Sequence, residues 1–104
     1  MHKLMLLFKK PQDVVAFETE WSERFVALAE RMPGIRRIAV IRVTGGPEGG
    51  ADLHMIHEFY FDNTDALESA MISPEGQEAG KVLMSFASAN VEILFAEHME
   101  EDRT

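Results

Sequence analysis

Apolar residues along this chain recur in two periods. Val14, Phe17, Trp21, Phe25, Leu28 and Met32 return at steps of three and four, the spacing of one helix face. Asp13 before them is a capping residue, Glu18, Glu20, Glu23, Glu30 and Arg31 fill the other side, and Pro33-Gly34 stops the helix. The runs Leu4 to Phe8, Ile35 to Val43, Leu53 to Phe61 and Val91 to Ala96 are short, apolar and bounded by breakers, which predicts strands. Between the second and third strands, Thr44 to Ala51 holds four of the seven glycines and predicts a hairpin loop. Asp62-Asn63-Thr64 opens a second helical region through Leu67, Ala70 and Met71. Ser73-Pro74 restarts it, with Ala79, Val82, Leu83 and Phe86 as the apolar stripe.

The order strand, helix, strand, strand, helix, strand is two split βαβ units. Right-handed crossovers then put both helical regions on one face of a four-stranded antiparallel sheet, an α+β ferredoxin-like sandwich. Yet the strands carry apolar residues at both parities, where a half-solvated sheet alternates apolar with polar. Two helices cannot cover both faces, so a second copy of the chain is the expected cover, giving a dimeric α/β barrel. One domain over residues 1–98 and a charged, partly disordered tail over 99–104 account for the length.

Composition narrows the partners. A formal charge of −8 lacks the clustered Lys and Arg that phosphate backbones and anionic membranes require. Zero cysteine removes disulfides, thiolate metal sites and cysteine nucleophiles. The opening Met1 to Lys10 reads as a strand rather than a leader, and no apolar run reaches the roughly 18 residues of a membrane span. The expectation is a cytoplasmic protein without nucleic-acid or membrane partners.

Candidate chemistry lies on the third strand. His54, Ile56, Glu58 and Tyr60 share one parity and Met55, His57, Phe59 and Phe61 the other. The second set, more apolar, is expected against the helices. The first then points into the dimer interior, where a carboxylate held from water has a raised pKa suited to a base. Arg42, or Arg36 at the same parity, is expected to offset that carboxylate or bind an anionic ligand. Arg42, His54, Glu58 and Tyr60 are therefore the expected ligand pocket, with Glu58 the best catalytic candidate. A bare structural network of the same groups is the competing reading, because buried polar groups need partners whether or not a ligand is present. His54 and His57 point to opposite faces and do not make a metal site, and the serines all have helix or cap explanations.

The segments Lys3 to Pro11, the helix with Phe17 and Trp21, the turn Met32-Pro33-Gly34-Ile35-Arg36-Arg37, the strand Glu58 to Asp62 and Ser73-Pro74-Glu75-Gly76-Gln77 together resemble the EthD family, named for ethyl tert-butyl ether degradation. The resemblance spans nearly the whole chain. It implies a bacterial dimeric ferredoxin-like barrel, often of undefined activity, with some relatives acting as cofactor-free enzymes on lactones, polyketides or aromatics. One departure matters: the family's Trp-x-x-x-His-x-Pro-Leu arrangement reads here as Trp21, Phe25, Ala27 and Leu28. A phenyl ring exchanges no proton, so acid or base chemistry by that imidazole does not carry over.

The expected function is thus a homodimer with a pocket for a small apolar or aromatic ligand inside the barrel, with no cofactor. One alternative is a cofactor-free isomerase, cyclase or monooxygenase using Glu58 as base. Another is an accessory dimer with a filled interior.

Overall fold

A computed structural model describes residues 1–103. Its strands are β1 (His2–Lys9), β2 (Arg37–Arg42), β3 (Leu53–Phe61) and β4 (Val91–Glu97), in the antiparallel order β2-β3-β1-β4. Helical segments α1 (Val14–Glu20), a π-helical turn (Trp21–Phe25) and α2 (Val26–Ala29) follow β1, and α3 (Thr64–Ile72) and α4 (Pro74–Ala87) follow β3. This is the ferredoxin-like βαββαβ arrangement. Within one chain the sheet stays open, with β2 and β4 as its edges.

Local chemistry sets the boundaries. The carboxylate of Asp13 accepts from the Ala16 amide at 3.0 Å, and the Asn63 side chain accepts from Ala66 at 2.9 Å. Ser73 ends α3 and caps α4, accepting from the Gly76 amide at 3.0 Å with Pro74 in the first helical position. The glycine-rich segment is a hairpin tip: Gly46 and Gly49 exchange backbone hydrogen bonds at 2.9 and 3.2 Å, and Gly49 has φ +109°.

The first helical region departs from its expected stripe. Phe17, Trp21, Phe25 and Ala29 are buried, whereas Leu28 is only partly so and Val14 is exposed. Those four buried positions are each four residues apart, and in a regular α-helix such steps drift by about 40° each. The π-turn corrects the drift: the Val26 amide reaches back to the Trp21 carbonyl, and the wider turn returns Ala29 to the core.

The core lies between the helices and the sheet face made by Leu4, Leu6 and Phe8 on β1 with Met55, His57, Phe59 and Phe61 on β3. The parity expected for β3 therefore holds from Met55 to Phe61. After β4 the His98 amide donates to the Met1 carbonyl at 2.8 Å, and in the segment expected to be partly disordered Glu100 pairs with Arg37. Thr104 of that segment lies outside the described residues.

Two glycines of α4 differ in what surrounds them. A Cβ on Gly76 would stand 2.2 Å from the Ala70 carbonyl oxygen and 2.7 Å from that of Met71, because α3 turns directly into α4 there. A Cβ on Gly80 meets nothing within 4 Å. Gly76→Ala is expected to destabilise the fold by about 2 kcal/mol or more through overpacking. Gly80→Ala is expected to stabilise it by about 1 kcal/mol through helix propensity. Urea denaturation of the two variants beside the parent checks both signs.

Candidate functional site

The sheet face turned away from the helices is organised in rows by the strand registers. Arg37, Tyr60, Lys3 and Ala96 form one row, Ala39, Glu58, Met5 and Leu94 the next, and Ile41, Ile56, Leu7 and Glu92 the third. The first row is polar and the other two are mostly apolar. Ile41 and Leu94 at the edges are 42% and 40% exposed, and no element among the described residues packs over the two apolar rows.

At the polar end the groups saturate one another. Lys3 Nζ donates to Glu58 Oε2 at 2.9 Å and the Tyr60 hydroxyl donates to Oε1 at 2.8 Å. The Arg37 guanidinium lies 4.2 Å from the Tyr60 ring centroid, and the edge of His98 meets the same ring at 4.8 Å. Glu100 accepts from Arg37 at 2.8 Å and stands 3.0 Å from His98. Burial pushes the Glu58 carboxyl up, but the hydrogen bonds from Lys3 and Tyr60 outweigh it and hold the group below its ordinary value. The expectation of a raised pKa at Glu58 is therefore corrected: with an ammonium in contact, the carboxylate is stabilised as the anion.

Two of the four residues expected at this face lie elsewhere. Arg42 pairs in register with the core residue Met55 and so faces the helices, where its guanidinium donates to Glu18 on α1 at 2.6 Å and sits 5.4 Å from the Trp21 ring. His54 occupies a bulge, since Phe8 pairs with Met55 but Lys9 pairs with Leu53. The extra residue turns its imidazole to Glu18, with Nε2 2.8 Å from the carboxylate. Burial would raise the Glu18 carboxyl, and its bonds to Arg42 and His54 outweigh that and lower it. Arg36, the other candidate, instead forms an exposed fork with Asp62 at 2.9 to 3.2 Å. Glu58 and Tyr60 are thus brought together. Lys3, Arg37, His98 and Glu100, which complete their cluster, needed the registers of β1, β2 and β4 to be found.

An apolar pocket lies on the helix side. It has a volume of about 60 Å³ and is walled by Leu4, Leu6 and Phe59 of the sheet, Phe25 and Met32 of the first helical region, and Met71, Gly80, Leu83 and Met84 of α3 and α4. That is less than half of the about 150 Å³ that takes benzene, so a ring-sized molecule would fill the pocket and extend past the exposed side chains of Met84 and Ile93. Gly80 is part of the reason for the space, since its missing side chain leaves the α4 wall open. Phe25 forms one wall.

Behind Phe25 and Phe59 stands His57, 1% exposed. Trp21 Nε1–H donates to its Nδ1 at 3.1 Å, and its ring meets Trp21, Phe25 and Phe59 at centroid distances of 5.4, 6.0 and 4.3 Å. Burial among these rings lowers its pKa to about 4. No group of three or more potential metal-ligating side chains occurs among the described residues, and no helix there is long and apolar enough to cross a membrane.

The EthD domain matches residues 9–88 of this chain. An uncharacterised 11.0 kDa protein of Rhodococcus erythropolis is 27% identical over 97 residues, covering 93% of this chain and 94% of that one. An EthD family protein from Bacillus halodurans superposes with a TM-score of 0.92 at 32% identity, over 95% of this chain and 99% of the other. A dimeric protein of unknown function and ferredoxin-like fold from Bacteroides fragilis has a TM-score of 0.64 at 25% identity, over 93% and 95%. SnoaB, a cofactor-independent oxygenase from Streptomyces nogalater, is similar at the level of fold, with a TM-score of 0.67 at 17% identity over 96% and 94%.

The state of His57 sets a pH dependence. Unfolded, it titrates near 6.5; folded, it stays neutral to about 4. Below pH 6.5 the unfolded chain binds the extra proton, so stability falls as pH drops from about 6.5 to about 4. From pH 7 to pH 4.5 the parent is expected to lose roughly 2 to 3 kcal/mol more than His57→Phe, which lacks this proton. Equilibrium urea unfolding of both proteins at the two pH values measures the difference.

Proposed function

The chain belongs to the EthD domain family, and on that premise we propose that it acts as a homodimer, joined through the open sheet face, that binds a small apolar molecule in each subunit. The observation that carries the ligand reading is the apolar pocket between helices and sheet, kept open by a mid-helix glycine that no close contact requires. Glycine in a helix interior costs about 1 kcal/mol relative to alanine. A binding role gives that cost a purpose. This reading puts the ligand between helices and sheet of one subunit, where side chains such as Phe59 and Leu83 supply an apolar surface, and not between the two sheets.

The uncovered rows Ala39, Ile41, Met5, Leu7, Ile56 and Leu94 support the dimer. A patch of this composition is unfavourable in water and favourable against its own copy related by a two-fold axis. Lys3, Glu58 and Tyr60 enter that interface already paired, which removes the penalty of burying an isolated charge.

The catalytic alternative, with Glu58 as base, draws less support. Its carboxylate is held as the anion by Lys3 and Tyr60, away from the apolar pocket, and a stabilised anion is a weaker base. The cluster favours a structural role for Glu58, and the ligand reading then needs none of its chemistry.

Each half has its own test. Ile56→Glu places a charge in the centre of the open face, and sedimentation velocity is expected to show monomer where the parent shows dimer; an unchanged dimer sinks the interface assignment. Gly80→Leu fills the pocket from α4. Binding of small cyclic hydrocarbons and ketones, followed by NMR shift perturbation at Met71 and Met84, is expected to disappear in that variant while the fold persists. Equal binding by parent and variant rules the pocket out.

A further inference from the structure

His57 is left with one polar atom that nothing among the described residues satisfies. The Trp21 indole can only donate, so His57 Nδ1 must be the acceptor and the ring proton of the neutral imidazole resides on Nε2. That Nε2–H has no hydrogen-bond partner, although the residue is 1% exposed. A buried donor without an acceptor is costly, and such exceptions in a folded protein call for a reason.

Position supplies one. Phe59 lies against the imidazole with an interplanar angle of 34°, and Phe25 meets it near-perpendicularly at 81°. These same two rings are walls of the apolar pocket. The Nδ1 edge is already taken by Trp21, and the Nε2 edge lies across the ring from it. Phe25 is also the last residue of the π-turn, where the regular hydrogen-bond ladder is broken; single π-turns occur frequently at functional sites.

We infer that His57 is the specificity-determining residue of the pocket: its Nε2–H donates to a carbonyl oxygen on the bound molecule, the Phe25 ring turning aside to let the oxygen through. The inference rests on the pocket reading and deepens it. The ligand class becomes a small, mostly apolar carbonyl compound, with its hydrocarbon body against Met32, Met71 and Leu83 and its one acceptor toward β3. Trp21 acts as a positioning residue, because its indole N–H selects the tautomer that makes Nε2 a donor. The role is recognition and involves no proton transfer.

The test uses a matched pair of probes, cyclopentanone and methylenecyclopentane, in which a CH2 group replaces the carbonyl oxygen. In the parent protein, 15N-edited NMR at neutral pH is expected to show the His57 Nε2–H proton moving downfield on titration with the ketone and staying in place with the hydrocarbon, while both probes perturb Met71 and Met84. The ratio of the two Kd values, hydrocarbon over ketone, is expected to fall by about 3- to 10-fold in His57→Phe, the worth of one net hydrogen bond. Comparing ratios cancels the difference in hydration between the probes. If both probes bind and the Nε2–H resonance ignores the ketone, the His57 assignment is wrong while the pocket stands. If neither probe perturbs the pocket, the pocket reading fails and the inference falls with it. Should His57→Phe not fold, the resonance measurement on the parent decides the matter alone.

Discussion

A four-stranded sheet has two faces, and this chain supplies helices for one. Every other feature of the molecule follows from how that imbalance is met. On the helix side, Phe8, Met55, Phe59 and Phe61 are fully buried and fix how the helices lie. On the other side the strands still carry Met5, Leu7, Ile41, Ile56 and Leu94, side chains suited to a second sheet rather than to water. In the proposed dimer the second copy would bury them, at roughly 25 cal/mol per Å² of apolar area. The paired charges at one end of that face would then give a mostly apolar patch a marked end and favour one orientation of the two copies over others.

The two sides also divide the polar chemistry. Glu58 and Glu18 are each held by two partners, one on each face of the sheet. Both carboxylates are kept ionised and tied in place, as expected of groups that orient elements. Glu18 links α1 to the β2–β3 hairpin through Arg42 and His54, and Glu58 links β3 to β1 through Lys3. The helix-side cavity, by contrast, is lined almost entirely by carbon and sulfur, and the polar atom nearest in kind to a recognition group is the unsatisfied nitrogen of His57.

Much of the architecture was legible because it depends on local pattern. The strand and helix order, the caps at Asp13, Asn63 and Ser73, the hairpin at the glycines and the inward set Met55, His57, Phe59 and Phe61 all follow from periodicity and cap chemistry. What was not legible depends on register. Arg42 shares its face with Met55 and not with Glu58, because the pairing of β2 with β3 is set across a ten-residue connection whose length does not specify it, and a slip of one residue exchanges the faces. His54 was misplaced by a bulge that leaves no mark in alternation. The Glu58 and Tyr60 pair was foreseen; its partner Lys3 comes from a strand distant in sequence. The pocket was invisible for a related reason, since Gly80 reads along the chain as an ordinary helical residue and only the packed helices show the space beside it.

The π-turn has a consequence for chain length. From Trp21 to Ala29 the helix spends eight residues on two turns, where a regular α-helix spends about seven. The segment thus contains one residue beyond what its phase requires, and the surplus is absorbed in the backbone ladder while Trp21, Phe25 and Ala29 all stay inward. Loss of one residue between Ser22 and Arg24 would restore regular hydrogen bonding with both ends of the helix still in phase with the core. This turn is therefore a place where chains of this fold can differ in length by one residue without altering the sheet or its covering layer, the change being felt only in how the rings around His57 are presented.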